Sequence, residues 1–404
     1  MKKIGFKEYL FIVPVVLLIA FFSLWPVIQS FTYTFFDYRL NDQQKAGLYL
    51  NERFNYELFD ETQLYLHLFL DEDKKSVTDP QLQLEIEEFL TNLDELTTQF
   101  EGREGVQKIS EEEKEKIVSL STEAKAIIST INESFETPNK DNLPLIAEDM
   151  ENSIIGSNFI GLEGYKTALT DQRLGTALVN TLVFTIVSVF LELILGLLLA
   201  MIMNKAIMGQ GLIRTTSLIP WAIPTAVAAL MWSYLYDGSS GIIAHFFEMF
   251  GLIGDSRDLL LSEGGAMVST ILADVWKTTP YMALLLLAGL QNIPKSLYEA
   301  ASIDGANRIQ SFFQVTLPLL KPSILVALLF RTLDAFRVFD LIYVLTGGGP
   351  GGATETLSIY GYKAMFAQTN FGYGSVIVMI MFVCVAIIAI IYVKFLGANL
   401  MEKN

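Results

Sequence analysis

Apolar residues are concentrated in six long segments of the chain, at 9–33, 177–203, 212–236, 266–290, 323–346 and 373–396. Each is close to the ~20 residues that an α-helix needs to cross a hydrocarbon core of roughly 30 Å. The first segment follows Lys2, Lys3 and Lys7 as in a signal peptide, but its apolar run is longer and no Ala-x-Ala-like cleavage site follows it. The pattern therefore predicts an all-α integral membrane protein with six transmembrane helices, the first of them retained.

Between the first two segments the apolar spacing changes to that of amphipathic helices. Asp79-Pro80 predicts a helix start, and Ser110 with Glu113 fits a capping box. Apolar residues follow these starts at steps of three and four, at Ile86, Phe89, Leu90, Leu93, Leu96 and Phe100, and at Ile117, Leu120, Ala124, Ile127, Ile128, Ile131 and Phe135. A third candidate helix, with a less regular apolar spacing, covers residues 55–70. We expect a small helical bundle inserted between the first and second membrane helices.

Charge separates this insert from the rest of the chain. The protein has 404 residues, 52% of them hydrophobic, with a formal net charge of −16. Residues 37–170 hold 29 acidic and 12 basic residues, whereas the remainder holds 15 and 16. These values exclude a soluble globular protein and make nucleic acid an improbable partner. They predict an N-terminal membrane helix (1–36), an acidic helical domain (37–170) and a core membrane domain (171–404).

Basic residues in the short loops indicate the orientation of the chain. They fall on alternate sides of consecutive segments, at Lys2, Lys3 and Lys7, Lys205 and Arg214, Lys295, Arg308 and Lys321, and Lys394 and Lys403. Positive loops face the cytoplasm. Both termini are therefore predicted to be cytoplasmic, and the acidic insert to be extracellular.

No catalytic or metal site is recognisable in the sequence. His67 and His245 lie far apart, and Cys384 is the only cysteine. The glycine-rich run 347–352 lacks the Gly-Lys pair of a phosphate-binding P-loop and is expected to form a turn at the outer membrane edge. We therefore expect no catalytic residue, no metal and no ATP hydrolysis in this chain.

The predicted cytoplasmic loop 291–322 contains an amphipathic stretch. Leu297, Ala300, Ala301 and Asp304 fall on one helical arc, where the small alanine side chains allow close approach, and Gly305 can end the helix. A short surface helix of this kind can dock into a groove of another protein. The alternative is an interfacial helix that contacts only lipid headgroups.

This loop resembles the signature of a known family. Glu299-Ala300-Ala301, Gly305 and the closing Val315-Thr316-Leu317-Pro318 match the EAA motif of binding-protein-dependent ABC importer permeases, with Val315 where isoleucine is more usual. Residues 175–396 resemble the carbohydrate branch. The extra N-terminal helix, the insert and the run Leu345-Thr346-Gly347-Gly348-Gly349-Pro350 resemble its MalF-type half.

The resemblance implies the role of a permease subunit in a bacterial or archaeal cell membrane. It implies a second homologous permease, an ATP-binding subunit dimer that holds ATP and Mg²⁺, an extracellular solute-binding protein and a carbohydrate substrate, with no cofactor in this chain. Helix 295–306 would insert into the ATPase, with coupling carried by Glu299, Ala300, Ala301, Asp304 and Gly305. Two alternatives are a self-sufficient secondary transporter and a ligand-sensing membrane protein that uses its helical ectodomain.

Charged residues inside the predicted membrane helices indicate a polar path. The fifth segment carries Arg331, Asp334, Arg337 and Asp340 at a spacing of three, and Glu192 in the second has no local partner. Charges in a membrane face a cavity or each other, so lining and internal pairing remain two alternatives. The resemblance to maltose-type permeases implies sugar contacts at Asp274, Lys277, Thr278, Tyr281, Arg331, Asp334, Ala335 and Val338. Pro220 and Pro224 predict a bend in the third segment.

Overall fold

The computed structural model describes the backbone of residues 6–205 and 209–401 and the side chains of 12–205 and 209–395. The chain is mostly α-helical and divides into two compact units. One unit comprises residues 1–31, 165–368 and 373–404, and the other comprises 32–164 with 369–372. The second unit thus differs at both ends from the predicted domain 37–170 and includes a short segment from near the start of the last helix.

The insert unit is built from four helices around one apolar core. They are Tyr56–Asp73 (continued by a 3₁₀ turn, Lys74–Ser76), Pro80–Phe100, Glu111–Ser134 and Leu143–Asn152. Asp79 and Ser110 cap the second and third helices as predicted, and Ser110 and Glu113 form the full capping box. The apolar positions predicted for these two helices are buried, apart from Phe135, which is partly buried against the core.

Sequence patterns did not indicate the small β-sheet of this unit. Its strands are Arg53–Asn55, Val106–Gln107 and Ile154–Ile155, with the first strand antiparallel to both others. Strands of two or three residues are too short to show an alternating pattern, so the periodicity of the sequence cannot reveal them. The fourth helix, Leu143–Asn152, was also missed, because only Leu143, Ala147 and Met150 of its ten residues are buried.

Within the described residues, the membrane unit contains five helices that are long and apolar enough to cross a membrane. A bent pair of helices adds a sixth span if the pair is counted as one. The spans are Ile12–Tyr33, Gln172–Asn204, Gln210–Ala222 with Thr225–Leu235, Glu263–Gln291, Arg308–Phe336 and Phe371–Phe395. The first comprises Phe6–Ile19, a π-helical turn at Ala20–Leu24 and Trp25–Tyr33, and the last helix runs over Phe371–Met401. The predicted six-helix, all-α class is confirmed.

Shorter elements connect these spans. Helices Gln210–Ser217 and Ile219–Ala222 form the first arm of the third span. The remaining short helices are Glu163–Thr170, Ile242–Met249, Asp258–Leu261, Lys295–Ile303, Asp340–Leu345 and Leu357–Tyr362, the last followed by a π-helical turn at Lys363–Ala367. Glycines 347, 348, 351 and 352 adopt positive φ in the turn predicted there.

The third span bends by 88° between Ala222 and Thr225. Pro224 has no N–H to donate to a preceding helical carbonyl, and Ile223 adopts an extended conformation with ψ of 133°. The bend predicted from Pro220 and Pro224 is therefore confirmed. The backbone groups at the break can contact neighbouring parts of the protein.

The predicted bounds of the fifth span lie too far towards the C-terminus. The sequence predicted 323–346, but the helix begins at Arg308, passes through a π-helical turn at Phe312–Thr316 and ends at Phe336. In that turn the Leu317 N–H bonds to the Phe312 carbonyl, which accommodates Pro318 in the helix. The predicted loop 291–322 is consequently a short helix followed by the start of a span. The run 337–346 lies beyond the span and contains a separate helix, Asp340–Leu345.

The cap at Ser110 gives a test of the insert fold. Ser110→Ala removes the acceptor of the Glu113 N–H, at 3.2 Å in the structure. Loss of such a cap costs about 1 kcal/mol. We expect amide hydrogen exchange in the first turn of helix Glu111–Ser134 to accelerate about fivefold, as measured by mass spectrometry on the full chain.

The matched control is Ser119→Ala on the exposed face of the same helix. Alanine favours the helix more than serine does, so exchange there should slow slightly. Equal exchange in the first turn of Ser110→Ala and the wild type would show that the cap contributes nothing.

Candidate functional site

A cavity of about 500 Å³ lies inside the membrane unit, between the third, fourth and fifth spans. One wall is the broken backbone of the third span, residues 221–225. The fourth span contributes Asp274, Lys277 and Thr278, and the end of the fifth span with the linker after it contributes Arg331, Asp334, Ala335, Arg337, Val338, Phe339, Asp340 and Leu341. The cavity is therefore lined by charged and hydroxyl groups together with apolar side chains, next to helices that are otherwise mostly apolar.

Arg331 is the centre of a buried ionic cluster at this cavity. Its side chain is only 1% exposed. Its Nε and Nη2 atoms donate to the two carboxylate oxygens of Glu192, at 2.5 and 2.9 Å, and Nη2 also donates to Asp274. Its Nη1 atom donates to Asp334 at 3.0 Å. A buried charge is tolerated only when it is paired and hydrogen-bonded, and Arg331 meets that condition through the second, fourth and fifth spans.

Glu192 is the residue whose role the sequence did not reveal. It is fully buried, and besides Arg331 it accepts a hydrogen bond from the Thr278 hydroxyl at 2.7 Å. The only signal in the sequence was a single carboxylate inside an apolar run. Its partners are 86 and 139 residues further along the chain, so local spacing gives no indication of them.

The charged stripe of the fifth segment is divided rather than continuous. Arg331 and Asp334 form the expected i, i+3 pair, and both also line the cavity. The helix ends just before Arg337, whose Nε donates to the Leu333 carbonyl at 3.0 Å. Asp340 begins a separate helix, and among the described residues no ion pair joins it to Arg337. The predicted stripe along one helix is wrong, because the span ends before its last two members.

Seven of the eight predicted path residues line this cavity. They are Asp274, Lys277, Thr278, Arg331, Asp334, Ala335 and Val338. Tyr281, the eighth, is one turn further along the fourth span and is not among the described lining residues. Its ring stacks on Trp221 with the centroids 5.6 Å apart.

The predicted coupling residues lie together on the helix Lys295–Ile303 and its C-terminal turn. Glu299, Ala300, Asp304 and Gly305 are exposed, and Ala301 is half-buried. Gly305 has φ of +79°, and the Ala306 N–H bonds to the Ala301 carbonyl at 2.9 Å, as in a Schellman motif. On the opposite face of the helix Tyr298 shares a hydrogen bond with Thr316 at 3.0 Å. The helix is thus fixed to the start of the fifth span on one side and open on the other.

The glycine-rich turn also borders a second cavity, of about 500 Å³, which is lined in part by Arg173, Glu355 and Lys363. Glu355 is almost completely buried there and accepts hydrogen bonds from Arg173, at 2.7 and 2.9 Å, and from Lys363, at 2.9 Å. Burial raises the pKa of Glu355, but the two cations outweigh it and leave that pKa below its ordinary value. Both cations are therefore engaged by the Glu355 carboxylate, which follows the turn. Within the described residues no group of three or more His, Cys, Asp and Glu side chains is arranged to hold a metal ion.

Known proteins resemble more than half of this chain. Permeases named for trehalose/maltose transport in Thermococcus litoralis and for trehalose transport in Mycobacterium tuberculosis are 46% and 47% identical to it over 236 and 240 residues. These matches cover 58% and 59% of this chain and 79% and 76% of the relatives. A sulfoquinovosyl glycerol permease of Agrobacterium fabrum is 39% identical, over 59% of this chain and 77% of that one.

The fold also has a counterpart among solved structures. A bacterial ABC transporter involved in the import of the acidic polysaccharide alginate superposes with a TM-score of 0.54 at 22% identity, covering 59% of this chain and 84% of that one. At that identity the likeness concerns the fold alone. Residues 192–400, about half of the chain, match a family of transport components. The chain therefore belongs to the family described as "binding-protein-dependent transport system inner membrane component".

Proposed function

We propose that this chain is the permease subunit of an ABC importer that moves a carbohydrate, an oligosaccharide in particular, through the cavity between its third, fourth and fifth spans. The observation that carries the proposal is the polar cavity itself, inside the membrane unit of a chain of this family. Carboxylates accept hydrogen bonds from sugar hydroxyls, and several relatives are named for transport of sugars or their derivatives. A self-sufficient transporter has no need of an exposed EAA helix.

The exposed part of the charge cluster is best placed to contact the sugar. Asp334 is 64% exposed at its side chain although it pairs with the buried Arg331. Asp340 and Arg337 are exposed at the same cavity, and the half-buried Val338 adds apolar surface beside the buried Ala335. Asp274 and Thr278, in contrast, are buried and support Arg331 and Glu192. We infer that Asp334 is a substrate contact and that the buried members position it.

We also propose that movement is driven by partner subunits. The open face of helix Lys295–Ile303 carries Ala300 and Asp304, and Leu297 and Ile303 beside them are 40% and 86% exposed. A small, partly apolar face of this kind suits insertion into a groove of an ATPase dimer that binds ATP and Mg²⁺. The remaining partners in the proposal are a second homologous permease and an extracellular solute-binding protein. In this arrangement the chain itself has no catalytic residue and no cofactor.

The basic residues near the ends of the spans indicate the orientation of the chain in the membrane. Lys205 lies in the connection from the second to the third span, and Arg214 lies in the first turns of the third span. Lys295 lies in the connection from the fourth to the fifth span, and Arg308 begins the fifth span. The positive-inside rule places both connections in the cytoplasm of a bacterial or archaeal cell, with both termini inside and the insert outside. Lys2, Lys3 and Lys403, which the sequence-based orientation also used, lie outside the described residues.

Co-purification from native membranes in mild detergent tests the partner assignment. We expect mass spectrometry to identify a second permease with an EAA motif and a P-loop ATPase among the co-eluting chains. Recovery of this chain as a homo-oligomer that transports sugar in liposomes without ATP would establish a secondary transporter instead.

Asp334→Asn tests the proposed path. The change removes the charge of an exposed carboxylate but keeps its shape, so the complex should still assemble. A hydrogen bond to a charged group contributes about 1.5–3 kcal/mol, so we expect uptake of the transported sugar to fall by about tenfold or more. Assembly is measured by co-purification and uptake with radiolabelled sugar.

The control for this change is Glu248→Gln, an exposed carboxylate on helix Ile242–Met249 that is not among the cavity's described lining residues. It should leave uptake unchanged. Equal losses of assembly and uptake in Asp334→Asn would favour a pairing role for Asp334 over sugar contact.

Ala300→Phe tests the coupling face. Position 300 is exposed, so the larger ring alters little inside this chain but obstructs the approach of a partner groove. We expect uptake to be lost while the chain stays inserted, and ATP hydrolysis by the assembled complex to lose its dependence on sugar. Ala300→Ser, which keeps a small side chain, should behave as the wild type. Normal uptake by Ala300→Phe would overturn the coupling assignment.

A further inference from the structure

The break in the third span leaves backbone carbonyls without their helical partners. In a continuous helix the carbonyls of Trp221 and Ile223 would accept from N–H groups four residues later. The extended conformation of Ile223 and the 88° bend interrupt that ladder. Unsatisfied backbone groups are costly inside a membrane, so a helix broken there needs a donor from elsewhere.

Lys277 of the fourth span supplies that donor. Its Nζ atom donates to the Ile223 carbonyl at 2.6 Å and more weakly to the Trp221 carbonyl at 3.4 Å. The residue is only 7% exposed. An ammonium has three N–H donors and no acceptor, and two of the three are directed at the broken backbone.

Tyr281 makes a second, independent contact with the same break. It is one helical turn after Lys277, and its ring stacks on the Trp221 ring with an interplanar angle of 14°. Trp221 is thus held through its carbonyl by Lys277 and through its indole by Tyr281. Lys277 and Tyr281 of the fourth span thus both contact the last turn of the helix before the bend.

We propose that Lys277 and Tyr281 are positioning residues that hold the bend of the third span, and not sugar ligands as the resemblance to maltose-type permeases implies. The segment 221–225 forms one wall of the cavity and Asp334 lies on another. The bend that Lys277 maintains therefore sets the width of the cavity in front of Asp334. This inference rests on the proposed function only in treating the cavity as the sugar path.

The charges around Lys277 agree with this role. Arg331, the other buried cation at the cavity, is engaged by Glu192, Asp274 and Asp334. With the Lys277 ammonium directed at carbonyls, both buried cations are used for internal contacts. The groups left open to a ligand are then on the linker side of the cavity, at Asp334, Arg337 and Asp340.

A distance measurement across the bend tests the proposal without any sugar. Spin labels are attached to cysteines replacing Leu212 and Leu230, exposed residues on the two arms of the third span, in a Cys384→Ser background. The arms run from residue 212 to the bend and from the bend to residue 230. At a rise of about 1.5 Å per residue, a straight third span would place the two labels about 7 Å farther apart than the span bent at 88° does. Pulsed electron–electron double resonance measures this distance in the reconstituted full chain.

Lys277→Met keeps an unbranched side chain, one atom shorter than lysine, and removes the donors. We expect a longer and broader distance distribution and at least about a tenfold loss of uptake, whereas Lys277→Arg, which retains donors, keeps both close to the wild type. The matched control is Lys321→Met, on an exposed position of the fifth span outside the described lining of the cavity, which should change neither quantity. An unchanged distance in Lys277→Met overturns the proposal.

Substitutions at Tyr281 provide the second measurement and do not depend on the folding of Lys277→Met. Tyr281→Phe keeps the stacked ring and should retain the bend and the uptake, whereas Tyr281→Ala should lengthen the distance. Loss of uptake in Tyr281→Phe with an unchanged distance would make the hydroxyl a sugar ligand and refute the positioning role. Because the distances are measured without sugar, they remain valid even if the wild type fails to transport a carbohydrate.

Discussion

The guanidinium group of Arg331 is fully charged and almost inaccessible to solvent, and the arrangement of three membrane spans depends on it. An isolated ion of this size costs several kcal/mol or more to bury even after relaxation. Glu192, Asp274 and Asp334 compensate for that cost from the second, fourth and fifth spans. Apolar contacts between helices are weakly directional in a membrane, since lipid tails are equally apolar. The Arg331 cation, paired with carboxylates of the second and fourth spans, therefore fixes the relative positions of these spans more strictly than their apolar surfaces can.

A second polar constraint acts where the third span breaks. Backbone that leaves the helix at membrane depth is tolerated only where protein or a water-filled cavity satisfies it. Here Lys277 bonds the freed carbonyls, and the segment 221–225 borders the cavity. The cavity thus lies beside the two features that are most costly to place in a membrane, the buried charge cluster and the interrupted helix.

The two constraints divide the polar residues of the membrane unit into two groups. Glu192, Asp274, Thr278 and Lys277 bond mainly to other parts of the protein, whereas Asp334 keeps an exposed carboxylate beside the cavity. A transporter needs both kinds, because a ligand site must have a fixed geometry and must still present groups that exchange water for sugar hydroxyls. The helix Lys295–Ile303 shows the same division, with Tyr298 bonded to the fifth span and Ala300 exposed.

Local information in the sequence determined the class of this protein and most of its helices. Runs of about 20 apolar residues must span a membrane or be buried in protein. Asp79 and Ser110 cap helices through neighbours within three residues. Pro224 breaks a helix because it has no N–H of its own. The EAA motif is likewise contiguous, and the family it indicates is the one to which the chain belongs. The tertiary structure alone decided the partners of Glu192, the early end of the fifth span, the short β-sheet of the insert and the engagement of Lys277 with the carbonyls of another helix. Glu192 and Lys277 reach partners about 50 to 140 residues away, and no local pattern encodes which distant donor reaches which acceptor. The strands are too short to show a period.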